Sequence, residues 1–164
     1  MTPRSTRSQI LGLLAWLALS LLAGGLGAIA SVDAASFYAQ LNQPAWAPPA
    51  GVFGPVWTAL YVLMAIAAWL VWREADTPTR GIALVVFVLQ LAVNALWSWL
   101  FFAWHLGAWA FADVLLLLAL IMVTIVLFRR VRPLAAWLLL PYLAWVVFAS
   151  ALTWAVWQAN PGVL

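Results

Sequence analysis

The sequence predicts an all-α membrane protein, a bundle of five transmembrane helices with a long ordered loop between the first and second that caps a pocket. Three observations carry this. Hydrophobic residues make up 68% of the 164 and charged residues 7%, with a mean hydropathy of +1.09. A soluble domain is nearer about 45–50% apolar and about 25% charged, so this chain has too few charges for a water-facing surface. Five apolar runs approach or exceed the roughly 20 residues that a helix needs to cross a bilayer. All seven basic residues are Arg, and they fall at the N-terminus and in every second connection.

The first span is expected over residues 9–30, behind Arg4 and Arg7. It ends in Ala28-Ile29-Ala30-Ser31, which resembles a signal-peptide cleavage site. Its apolar run is about twice the usual 7–15 residues of a signal peptide, so an uncleaved helix is expected. Ser20, Gly24 and Ala28 recur at i, i+4 and i+8, a small-residue face suited to close helix packing within the protomer or across a dimer.

Residues 31–54 form the one long connection, punctuated by Pro44, Pro48 and Pro49 and closed by Pro55. Loops longer than about 12–15 residues in a compact domain are usually functional or disordered. This one holds Phe37, Tyr38, Leu41, Trp46, Val52 and Phe53 with a single charge, Asp33, which is not a disordered composition.

The second span, 56–72, places Trp57 and Tyr61 on one face. Pro78 is expected in the loop before the third span, 81–104, where Gln90, Asn94 and Ser98 form a polar stripe. Such a stripe should face the bundle interior, as glue between helices or as the polar side of a cavity. Asp113 stands in the first two turns of the fourth span, 108–128, where the helix dipole favours an acid. The fifth span, 134–157, follows Pro133. Pro141 should kink it, and Trp145, Ala149 and Thr153 share a face. Residues 1–164 are read as one domain. Trp16, Trp72, Trp104, Trp109 and Trp157 suit an interfacial aromatic belt. Trp57, Trp97 and Trp145 have polar or small residues nearby, as the wall of a pocket for a flat apolar ligand would.

Several chemistries are excluded. Without Cys there is no disulfide, thiolate metal site or cysteine nucleophile, and without Lys there is no Schiff base. The single His105, expected exposed in a short loop, defines no metal site. Despite a net charge of +3, the Arg residues form no patch for nucleic acid. The positive-inside rule puts the Arg side in the cytoplasm and the C-terminus outside, and a helical bundle suits a bacterial inner membrane.

The ordered motifs resemble the tryptophan-rich sensory protein family, TspO/MBR, also called the translocator protein or peripheral benzodiazepine receptor family. They are Phe37-Tyr38, Gln43-Pro44-Ala45-Trp46-Ala47-Pro48-Pro49, Phe53-Gly54-Pro55-Val56-Trp57-Thr58-Ala59-Leu60-Tyr61, Gln90-Leu91 with Asn94 and Trp97, Asp113, and Pro141-Tyr142-Leu143 with Trp145. The resemblance implies a homodimer with one pocket per protomer, binding protoporphyrin IX, haem or other flat hydrophobic molecules. It implies pocket residues Tyr38, Trp46, Trp57, Tyr61, Gln90, Asn94, Trp97, Trp145, Ala149 and Leu152. Trp57 and Trp145 match indoles tied in some bacterial members to light-dependent porphyrin degradation. The family's sterol motif has no counterpart, because Leu152-Thr153-Trp154-Ala155-Val156-Trp157-Gln158 holds neither Tyr nor a basic residue. The leading expectation is a tetrapyrrole-binding receptor or regulator with no obligatory cofactor. The alternatives are a light- and oxygen-dependent porphyrin-degrading enzyme or a tetrapyrrole transporter. Transport is disfavoured by the lack of internal duplication and of a second membrane acid.

Overall fold

The computed structural model describes residues 5–164. Among them are helices α1 (Thr6–Ala30), α2 (Ala34–Gln40), α3 (Phe53–Trp72), α4 (Pro78–Ser98), α5 (Gly107–Val131), α6 (Pro133–Leu138) and α7 (Leu140–Ala159). A 3₁₀ turn, Ala50–Val52, leads into α3, and a π-helical turn, Trp99–Ala103, extends α4. Five segments are long and apolar enough to cross a membrane, with α6 and α7 together forming the fifth. The chain is an integral membrane protein with an all-α fold.

Local chemistry sets the helix ends. Ser5 caps α1, its side chain accepting from the Ser8 N–H at 3.3 Å. Thr77 caps α4 through the Arg80 N–H at 3.2 Å. Pro78 is therefore not in the loop but at the first helical position, where its missing N–H costs nothing. The fifth span is interrupted at Leu139, and Pro141 lies in the first turn of α7. A proline there cannot donate to the carbonyl four residues back, so the expected kink becomes a break between two helices.

The ends of α1, α3, α4 and α5 that carry Arg meet at one side of the bundle. The Trp69 indole donates to the Gln9 carbonyl at 2.9 Å, and Arg73 lies 4.4 Å above the Trp69 ring. Arg80 donates to the Glu74 carbonyl at 3.0 Å and pairs with Asp76 at 2.6 Å. Arg132 reaches Glu74 at 3.5 Å. Arg4, counted with this face in the sequence, lies outside the described residues. Just inside this end the core is solid. Met64, Ala67, Ala68, Val71, Phe87 and Phe128 are fully buried, and the two Phe rings stack at 5.7 Å.

Small residues let α1 approach its neighbours. A Cβ on Gly12 would stand 2.3 Å from the Trp72 ring, one on Gly24 2.7 Å from the Tyr61 ring, and one on Gly27 3.1 Å from Ser98 Oγ. Of the α1 stripe, Ser20 is buried and Gly24 packs against Tyr61 within the protomer, whereas Ala28 is exposed. The aromatic residues divide likewise. Trp104 and Trp109 are exposed, as a belt requires. Trp16 packs edge-on against Phe87, and Trp157 lies against Phe111 and Trp154.

The long connection is ordered by its own contacts. Asn42 N–H donates to Asn160 Oδ1 at 2.8 Å, and Asn160 Nδ2 donates back to the Asn42 carbonyl at 3.0 Å. Phe37 stacks on His105 at 4.2 Å. His105 is exposed, as expected, and takes a positive φ of 53° in the tight passage into α5.

Candidate functional site

A cavity of about 530 Å³ lies between the helices on the side away from the Arg cluster. Its wall is drawn from α1, α2, α3, α4, α5 and α7 and carries no charged side chain. That volume falls within the roughly 300–1,000 Å³ of small-molecule sites, and an apolar wall with a few polar groups is what such sites share.

Helical spacing builds the wall. Trp57 and Tyr61, one turn apart on α3, hold their rings 5.7 Å apart. Tyr142 of α7 stands edge-on to Trp57 at 6.2 Å. The Tyr61 hydroxyl donates to Asn94 Oδ1, and Asn94 Nδ2 donates to the Tyr142 hydroxyl at 3.2 Å. Asn94 therefore ties three helices together while also lining the cavity. One of its N–H groups is left over from these bonds. Trp97 stacks on Phe101 at 5.1 Å, in the π-helical turn. Trp145 meets Phe53 edge-on at 5.9 Å and Phe148 at 5.4 Å.

The Nε1–H groups of Trp97 and Trp145 are buried and have no hydrogen-bond partner among the described residues. An unmade buried hydrogen bond costs about 1–3 kcal/mol, so both donors call for an acceptor that the protein does not supply.

The structure brings Tyr38, Trp57, Tyr61, Asn94, Trp97, Trp145, Ala149 and Leu152 onto one wall. Tyr38 bonds to the Pro48 carbonyl at 3.4 Å, and burial raises its phenol above the ordinary value of 10.0. Two of the ten expected residues stand elsewhere. Trp46 is 51% exposed and rests edge-on against Phe148 at 5.8 Å, off the wall. Gln90 is buried deeper in the bundle with its Nε2 3.7 Å from the Met64 sulfur. The polar stripe of α4 thus splits: Gln90 packs between helices, Ser98 lines the cavity, and Asn94 does both.

Sequence reasoning missed the contribution of α1. Gly24, Gly25, Gly27 and Ala28 form one side of the cavity. Their small size was legible, but it signals close packing as readily as an empty wall. Asp113 stands in the first two turns of α5, as expected, but as its seventh residue it is past the first turn, where the dipole acts most, and it is buried with Oδ2 unpartnered among the described residues.

Residues 15–158 match the profile of the TspO/MBR family. The chain belongs to this family. It is similar to the human protein named translocator protein, 41% identical over 128 residues that cover 77% of this chain and 76% of the relative. It is 37% identical over 158 residues to the tryptophan-rich protein TspO of Chlorobaculum tepidum, covering 93% of this chain and 98% of that one. Protein CrtK of Rhodobacter capsulatus is 38% identical over 141 residues, 85% of this chain and 87% of its own length. The TspO/MBR membership inferred from motifs therefore holds across nearly the whole chain, and the matched region includes every residue of the cavity wall.

Proposed function

We propose that this TspO/MBR protein is a membrane receptor or regulator that binds a tetrapyrrole, protoporphyrin IX or haem, or a similar flat apolar molecule, in the cavity between its helices. The observation that carries the reading is the pairing of an aromatic, uncharged wall with two buried indole donors lacking acceptors. Aromatic faces stack on a macrocycle, and burial of its apolar surface supplies about 25 cal/mol per Å². The Trp97 and Trp145 N–H groups, with the remaining Asn94 N–H, would donate to acceptor atoms at the ligand's edge. The residues fit the organic ring rather than its metal, since the single His105 is outside the wall and stacked on Phe37.

In this reading the ligand-contacting set is Tyr38, Trp57, Tyr61, Asn94, Trp97, Trp145, Ala149 and Leu152, and the 31–54 connection roofs the site. The protein works as a homodimer with the Arg-bearing side in the cytoplasm. What supports the roof is that Ala34, Tyr38 and Ala50 lie on the cavity wall.

The test is a titration with protoporphyrin IX in the dark, followed by tryptophan quenching, on the parent, Trp145→Phe and Trp97→Phe. Saturable quenching at one ligand per protomer is expected. Each variant keeps a ring but loses a donor, and should weaken binding about fivefold, as one hydrogen bond of about 1 kcal/mol implies. Linear, unsaturable quenching unchanged in the variants would mean partitioning into detergent and would reject the reading. Illumination of the same complexes, with porphyrin loss followed against intact protein, tests the degrading activity.

A further inference from the structure

The cavity wall is not equally enclosed on all sides. Its exposed members are Leu21, Gly25 and Ala28 of α1, Ala35 of α2, and Gly54 and Thr58 of α3. No residue that α4, α5 or α7 contributes to the wall is exposed. The opening is therefore a seam between α1 and α3 beneath α2. It is closed on the Arg side where Gly24 receives the Tyr61 ring. The stretch from Leu21 to Ala28 rises roughly 10 Å along α1, all within the half of the bundle nearer the long loop.

The seam suits hydrocarbon. Its two hydroxyls are both spent on their own helices: Ser31 Oγ donates to the Gly27 carbonyl at 2.8 Å and Thr58 Oγ1 to the Gly54 carbonyl at 2.9 Å. Nothing polar is then left at the mouth to cost energy against acyl chains. Gly25 and Gly54 have open space where a Cβ would stand, so their lack of a side chain serves no packing contact. On the water side, Ala34, Tyr38 and Ala50 of the long connection lie along the wall. The long connection is fastened to the end of α7 by the reciprocal Asn42–Asn160 hydrogen bonds and to the α4–α5 passage by the Phe37–His105 stack.

We propose that the cavity is loaded laterally, through the α1–α3 seam, from the hydrocarbon of the leaflet on the loop side. Its cargo is then an apolar molecule already dissolved in the membrane. The inference rests on the ligand-binding reading for the nature of the cargo, but the route is tested without porphyrin.

The chain has no cysteine, so Ala149→Cys places a single thiol on the far wall of the cavity. Reconstituted in phospholipid nanodiscs, this variant is treated with membrane-partitioning pyrenyl maleimide or with a charged, water-confined trimethylammonium methanethiosulfonate. The pyrenyl reagent should label the thiol, and adding Gly25→Trp should slow that labelling about tenfold, within the range over which association rates vary among variants of one site. Gly25→Ala should leave it unchanged. Ala28→Leu, one turn along the seam, should reproduce the slowing if Gly25→Trp does not fold. The charged reagent should label slowly in all of these. Labelling by the charged reagent as fast as by the pyrenyl one, or a pyrenyl rate indifferent to both seam substitutions, would overturn lateral loading. A failure of protoporphyrin IX to bind would reject the ligand identity and leave this result standing.

Discussion

The two ends of the bundle are built from similar residues and do opposite things. On the Arg side, Ala67 and Ala68 of α3 and Ala83 of α4 are completely buried in one cluster with Phe87 and Phe128, so in this core small side chains are matched by large ones. Ion pairs and carbonyl contacts then close the helix ends. On the loop side, Gly25 and Ala28 line a cavity together with Trp57, Trp97 and Trp145, and the indoles do not fill it. The difference lies in whether small and large residues are set in contact or across a void. In a membrane, where helix association depends on packing rather than on expulsion of water, this gives one end a packed core and leaves the other a cavity.

The sharpest way to break that division is Phe87→Ala. It removes a fully buried ring stacked on Phe128 and edge-on to Trp16. A loss of about 3–5 kcal/mol is expected from cavity creation, read as a lower midpoint in detergent unfolding. Ligand affinity of the fraction still folded should be unchanged, and a large drop in affinity would mean that the two ends are coupled. Gly24→Leu comes next, because it drives a side chain into the Tyr61 ring at the boundary between the regions. Overpacking of about 1–3 kcal/mol is expected, together with weaker binding, since Tyr61 is also cavity wall.

Asn94→Leu sharpens the comparison at the same boundary. It strands the buried Tyr61 and Tyr142 hydroxyls, a cost of about 1–2 kcal/mol that thermal unfolding would register. Equal destabilisation with unaltered ligand affinity would make Asn94 a fastening and not a contact. The smallest effect should come from Tyr38→Phe, which loses one long hydrogen bond to Pro48. Its raised phenol pKa gives a sign for pH. The neutral form is favoured in the folded loop, so the stability it lends is complete below about pH 10 and is lost as pH rises through the higher folded value. Limited proteolysis of the loop should therefore speed up in strong alkali in the parent and be less pH-dependent in the variant.

Much of this was legible in the residues. The five spans follow from hydropathy because every backbone group in a bilayer must be satisfied within its own helix, which leaves few structural choices. The sharing of faces by Trp57 with Tyr61, and by Trp145 with Ala149, follows from helical period alone. Rotation about a helix axis does not. Gln90, Asn94 and Ser98 share a stripe, yet depth along α4 sends Gln90 to Met64 and Ser98 to the cavity. Trp46 matched the motif, but its place beside Phe148 depends on how the proline-rich connection is laid across α7.

The sequence by itself determined the membrane class, the number of spans, the side on which the Arg residues gather and the family, because these depend on local composition, period and motif order. Only the tertiary structure decided which small residues pack and which leave space. Gly12 and Gly25 are alike in the sequence, one pressed against Trp72 and the other open at the seam. A glycine specifies how closely another helix can approach, and whether one does depends on distant side chains meeting across the bundle.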